Sequence, residues 1–188
     1  MHHQTDTLHD SDYFNIFPTC VGMFRLNNYH PAEEEKVQGF INKDINELQG
    51  RDILDSKKLF ILKDQLNDCV KAYSNEFGAD YYQIDESWYQ RVANGEEVAP
   101  HAFPDDTFIG YYFPNAEEQA SDIILDAPFK CPIHVPKEKS VSIYTAPNER
   151  FLLASGWVVL TPAYLTRSFT RNQKSEIDII TFNVKKIG

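Results

Sequence analysis

Two stretches of the chain repeat their apolar residues at helical spacing, and most of the sequence beyond residue 80 repeats them at every second position. The first helical stretch opens on Pro31 and the run Glu33, Glu34, Glu35. Proline suits a first turn, and carboxylates there complement the positive end of the helix dipole. Val37, Phe40, Ile41, Ile45 and Leu48 share one face and Gly50 closes the segment, so the spacing predicts a helix over 31–49. The second follows Asp55 or Ser56, either of which suits a cap. Leu59, Leu62, Leu66, Cys69, Val70, Tyr73 and Phe77 recur on one side, with Gly78 at the stop, which predicts a helix over 56–77. Both are amphipathic and are expected to pack one face on a sheet.

The strand signals are shorter. Residues 16–24, with Pro18 near the start, read as a first strand, and the polar, acidic residues 1–15 before it as a flexible arm. From residue 81 strand-like runs fall at 81–92, 107–113, 121–126, 140–145, 151–153, 156–161 and 176–184. Turn formers such as Asn94-Gly95, Pro114-Asn115, Pro147-Asn148 and Arg171-Asn172 separate most of them. Many short strands at such intervals indicate a sandwich or a closed barrel rather than βαβ units. The expected organisation is one domain over 16–188, mainly β within the α+β class, with its β body over 81–184.

Composition supports that picture and removes some partners. Ten Tyr, thirteen Phe and two Trp suit strand surfaces better than a helical bundle. A formal net charge of −10 repels a phosphate backbone, so a nucleic-acid partner is not expected. No apolar run approaches the ~18 residues of a membrane span, and the N-terminus has no signal-peptide pattern. Cys20, Cys69 and Cys131 lie far apart and read as reduced thiols. The carboxylate pairs Glu96-Glu97 and Glu117-Glu118 read as solvated. No P-loop, GxGxxG or nucleophile-elbow motif is present.

Several local motifs carry a resemblance. They are Phe17-Pro18-Thr19; Glu86-Ser87-Trp88-Tyr89 followed by Asn94-Gly95-Glu96; His101-Ala102-Phe103-Pro104 followed by Gly110-Tyr111-Tyr112; the run from Gly156 through Pro162 to Leu165; and Ile179-Ile180-Thr181-Phe182-Asn183. In order and spacing they resemble a family of iron/2-oxoglutarate oxygenases of tailed bacteriophages, especially the large T4-like phages of cyanobacteria. The resemblance covers most of the chain. It implies a double-stranded β-helix (jelly-roll) barrel with the two amphipathic helices packed on one side.

The resemblance also implies where the chemistry would sit. The first iron-binding histidine falls on His101, the second ligand on Phe103, the distal histidine on Arg167 and the arginine that pairs with the cosubstrate on Ile177. A phenyl ring cannot ligate iron, a guanidinium has no lone pair to offer, and an isoleucine cannot hold a carboxylate. If any metal binds, His101 with Asp105 or Asp106 is the place. His30 and His134 stand in proline-bounded connections, and a Cys131/His134 pair is too small for zinc. The expectation is therefore a vestigial pocket, no cofactor and no catalysis. The expected role is structural, in a virion made in the host cytoplasm, through contacts with other phage proteins or a second copy. The alternatives are an iron(II)/2-oxoglutarate oxygenase with atypical ligands and a glycan- or small-molecule-binding module. The latter would use Trp88, Tyr111 or Tyr112, Arg167 and Arg171.

Overall fold

The computed structural model describes residues 10–16, 19–26, 31–44, 52–79, 82–128 and 147–187. Two antiparallel sheets face each other across an apolar core. The larger runs in the order β1 (Asp10–Ile16), β2 (Thr19–Arg25), β8 (Trp157–Pro162), β5 (Phe108–Phe113), β10 (Ile177–Lys186), β3 (Tyr82–Val92). The smaller runs β4 (Val98–His101), β9 (Arg167–Phe169), β6 (Asp122–Asp126), β7 (Asn148–Leu152).

Strand alternation sorts the side chains into two cores. Ile109, Tyr111 and Phe113 of β5 point to the smaller sheet and meet Ile123, Leu125, Phe151 and Phe169. Phe108 and Tyr112 of the same strand point the other way, with Leu160, Ile180 and Phe182. There they meet helices α1 (Pro31–Asp44) and α2 (Phe60–Asn75), which contribute Val37, Ile41, Leu62, Leu66, Cys69 and Tyr73. Each fully buried Leu of this layer contributes about 1.5–3 kcal/mol relative to exposure. None of the described helices is long and apolar enough to cross a membrane.

The expected barrel is corrected to an open two-layer sandwich. Among the described residues neither sheet closes, because the two layers are joined by side-chain packing rather than by a shared strand. The free edge of β3 is instead covered by a short 3-10 turn (Ile53–Asp55), where Asp52 N–H donates to the Ser87 carbonyl (2.6 Å) and Leu54 N–H to the Ser87 hydroxyl (3.0 Å). Residues 10–15, expected in the arm, form β1 together with Ile16 and pair along their whole length with β2. That 3-10 turn also displaces the expected start of α2, so neither Asp55 nor Ser56 caps it. Phe77, expected on the buried face, is 47% exposed beyond the helix end and stacks on Phe108. The expected strand at 140–145 and the end of the first helix lie outside the described residues.

One close approach fixes the centre of the larger sheet. A Cβ built on Gly110 would lie 2.1 Å from the ring of Phe182, which is fully buried one strand away. Gly110→Ala is therefore expected to cost about 1–3 kcal/mol, as overpacking in a dense core does. Urea unfolding followed by circular dichroism measures it, and an unchanged midpoint would show that the ring moves freely.

Candidate functional site

The positions that the motifs single out meet at the paired ends of β4 and β9. His101 lies directly across from Arg167 in the strand pair. Phe103, just beyond β4, is tied to the turn before β9 by its N–H, which donates to the Ala163 carbonyl (3.0 Å). Its ring touches three neighbours: the His101 ring edge-on at 5.2 Å, the Trp88 ring at 5.4 Å, and the Arg167 guanidinium carbon, 4.4 Å above the centroid.

Among the described residues Arg167 is the largest fully buried side chain, at 0% exposure. Leu165, Arg167 and Phe169 alternate inward, so the strand that buries the two apolar side chains buries the arginine as well. Its guanidinium is held at one corner, where Nη1 donates to the Leu165 carbonyl (3.1 Å) and, at the limit of bonding distance, to that of Ala163 (3.5 Å). Nε and Nη2 have no partner. The guanidinium also lies 5.5 Å from the centroid of the Tyr111 ring. The Tyr111 hydroxyl is buried with no partner in hydrogen-bonding geometry, yet it lies near enough to the guanidinium to feel its charge and a weak hydrogen-bond-like attraction. The Thr161 hydroxyl, on the same inter-sheet face between Val159 and Ala163, is likewise buried without a partner. Each such group forfeits about 1–3 kcal/mol of solvation, so three such side chains on one buried face need an explanation.

Burial lowers the pKa of Arg167 from its ordinary value, opposed by Tyr111 and by the charge of Asp106. Burial raises that of Tyr111, opposed by Arg167. Asp106 is engaged elsewhere, accepting a hydrogen bond from Asn183 Nδ2 (3.0 Å).

The remaining expected residues scatter. Trp88 sits half-buried on β3, in the row Trp88, Thr181, Tyr111 that crosses three neighbouring strands. Tyr112 is buried among the residues under the helices, on the opposite face of the sheet from Tyr111. Ile177 is buried at the start of β10 within the inter-sheet core, and Arg171 is exposed in the connection before it. Asp105 is exposed. His30, Cys131 and His134 lie outside the described residues.

Iron would need three protein ligands on one face. Among the described residues no three His, Cys, Asp or Glu side chains gather as a metal site. His101 alone offers a lone pair: its Nδ1–H donates to the Ala99 carbonyl (3.0 Å), which leaves Nε2 as the acceptor atom of the neutral ring. Its two neighbours in the cluster are a phenyl ring and a cation. The described residues do not fit iron.

The architecture itself has relatives. Apo HygX from Streptomyces hygroscopicus superposes with a TM-score of 0.61 at 12% identity, over 89% of this chain and 82% of its own. The chain has the fold of the 2-oxoglutarate/iron(II) oxygenases. A prolyl-4-hydroxylase of Pseudomonas putida matches with a TM-score of 0.58 at 8% identity, over 84% of this chain and 82% of its own. SnoN, a non-heme α-ketoglutarate dependent epimerase from nogalamycin biosynthesis, matches at 0.63 and 10%, over 88% and 77%. No protein-family model and no curated protein matches the sequence.

These relatives correct the expectation that the chain is not an enzyme. Proteins of its fold include a named hydroxylase and a named epimerase, so keeping the fold is no mark of lost catalysis.

Proposed function

We propose that this chain binds a small organic acid in the inter-sheet site of its oxygenase-type fold, with Arg167 as the anchor for a carboxylate. One observation carries the reading: the free Nε–Nη2 edge of a fully buried guanidinium. That edge presents two parallel N–H groups spaced for the two oxygens of a carboxylate. The protein uses the same edge elsewhere, where Arg91 Nε and Nη2 grip the two oxygens of Asp178 at 2.7 and 3.2 Å. At Arg167 the matching acceptor would come from a ligand, with the Tyr111 and Thr161 hydroxyls available for a second polar group. Phe103, which covers the guanidinium, is itself partly exposed, so the anchor lies one side chain below the surface. The structural relatives support the class of ligand: one HygX structure holds 2-oxoglutarate with nickel.

Calorimetric titration with 2-oxoglutarate, succinate and monocarboxylates tests the reading. Saturable binding of at least one acid is expected, and Arg167→Lys should weaken it about tenfold, because a lysine keeps the charge but loses the fork. Absence of binding by the whole panel, or equal binding by Arg167→Lys, would contradict it.

A second reading, oxygenation by iron with atypical ligands, draws on the free Nε2 of His101 and on the shared fold. Its sign would be conversion of 2-oxoglutarate to succinate that His101→Ala abolishes. A virion assembly role would draw instead on the terminal arm and exposed strands, where no described residue shows a comparable unmet demand.

A further inference from the structure

We infer that Arg167 takes the place of a metal ion in this site: a fixed cation that holds the acid directly and keeps divalent cations out. The inference rests on the proposed acid-binding role and goes beyond it by specifying how the anion's charge is met. The guanidinium stands directly across the strand pair from His101, the only imidazole, thiol or carboxylate among the described side chains whose contact with the Phe103 ring is shown, and both flank that ring. A divalent ion seated on His101 would meet the permanent positive charge of the buried guanidinium beside it, where repulsion is less screened than in bulk water. It would also lack two ligands, because Phe103 and Arg167 supply none. Nor can the guanidinium readily swing away, since Nη1 is tied to the Leu165 carbonyl and the group packs over the rings of Phe103 and Tyr111. Its anchored corner faces the backbone, and its free edge is the only part left to meet a ligand.

The cation and its competitor can be exchanged by substitution. Equilibrium dialysis against Ni(II) is expected to give no His101-dependent equivalent for the wild-type chain. The double substitution Phe103→Asp, Arg167→His supplies a carboxylate and a second imidazole beside His101. It is expected to bind about one equivalent, lost again on adding His101→Ala. A wild-type equivalent that His101→Ala removes would overturn the inference, as would a double variant that keeps the wild-type circular dichroism yet takes up no Ni(II). If the double variant does not fold, the wild-type and His101→Ala dialysis decides the matter alone. Acid binding supplies an independent arm. Affinity unchanged in EDTA is expected, whereas affinity that vanishes in EDTA and returns with Mn(II) would overturn the inference. If no acid binds in either condition, the acid-binding reading fails while the dialysis still decides whether Arg167 excludes the cation.

Discussion

Arg167→Met is expected to abolish acid binding and yet raise the stability of the ligand-free protein by about 1–2 kcal/mol, the opposite sign from an ordinary core truncation. In wild type the guanidinium is withdrawn from water with two of its three nitrogens unpaired, and the effective penalty for burying an ion is several kcal/mol. Against this stand stacking over two rings, worth about 2 kcal/mol when desolvated, and one sound hydrogen bond to the Leu165 carbonyl. Methionine nearly conserves the volume, and its sulfur packs well against Phe103 and Tyr111. Because burial lowers the pKa of Arg167, the unfolded chain holds that proton more tightly than the folded one. The penalty is therefore borne in full below the folded pKa and is relieved only as pH climbs above it, toward the unfolded value. The gain in Arg167→Met should accordingly be level through the neutral range, as chemical denaturation at several pH values would show. A loss of more than about 2 kcal/mol would instead make Arg167 a structural residue and remove the main support for a ligand.

That residue also shows what the sequence makes legible. Order and spacing of the motifs bring positions 101, 103 and 167 into one cluster, because spacing along strands translates directly into position in space. Burial of Arg167 was hidden by the ordinary preference of arginine for the surface. The signal that reveals it is the alternation Leu165, Arg167, Phe169, in which the outer two are plainly core. The same rule separates Tyr111 from Tyr112, since neighbours in a strand cannot share a face. Strands β4 and β9 escape because four and three residues hold too few repeats to show a period. β1 escapes because an edge strand tolerates polar residues, and Asp10, Ser11 and Asp12 read as a tail. Whether two sheets close into a barrel depends on contacts between distant segments, which no local pattern records.

Another polar feature of the core, around Asp178, calls for the opposite result: Asp178→Ala is expected to cost about 3 kcal/mol. The Asp178 carboxylate is fully buried and answers every donor around it. Oδ1 accepts from Arg91 Nε and from the Tyr89 hydroxyl, and Oδ2 from Arg91 Nη2 and from Asn115 Nδ2 at 2.8 Å. The Asp178 N–H closes the set by donating to Asn115 Oδ1 (2.6 Å). The cluster ties β10 to the edge strand β3 and to the connection that follows β5, and Arg91 reaches on to Glu176 (3.1 Å). Alanine would strand the Tyr89 hydroxyl and leave Asn115 Nδ2 only its long contact to the Glu176 carbonyl (3.4 Å), though Arg91, with 26% of its side chain exposed, can turn to water and limit the loss. At about 2–4 °C per kcal/mol for a chain of this size, the melting midpoint should fall by roughly 6–12 °C. The network also predicts behaviour in alkali. Burial first, and then the hydrogen bond to Asp178, raise the pKa of Tyr89 above its ordinary value near 10. The folded chain then keeps a proton that the unfolded chain releases, so this contribution is full below about pH 10 and fades as pH rises further. Tyr89→Phe should flatten that decline, and an equally steep fall in the variant would place its origin elsewhere.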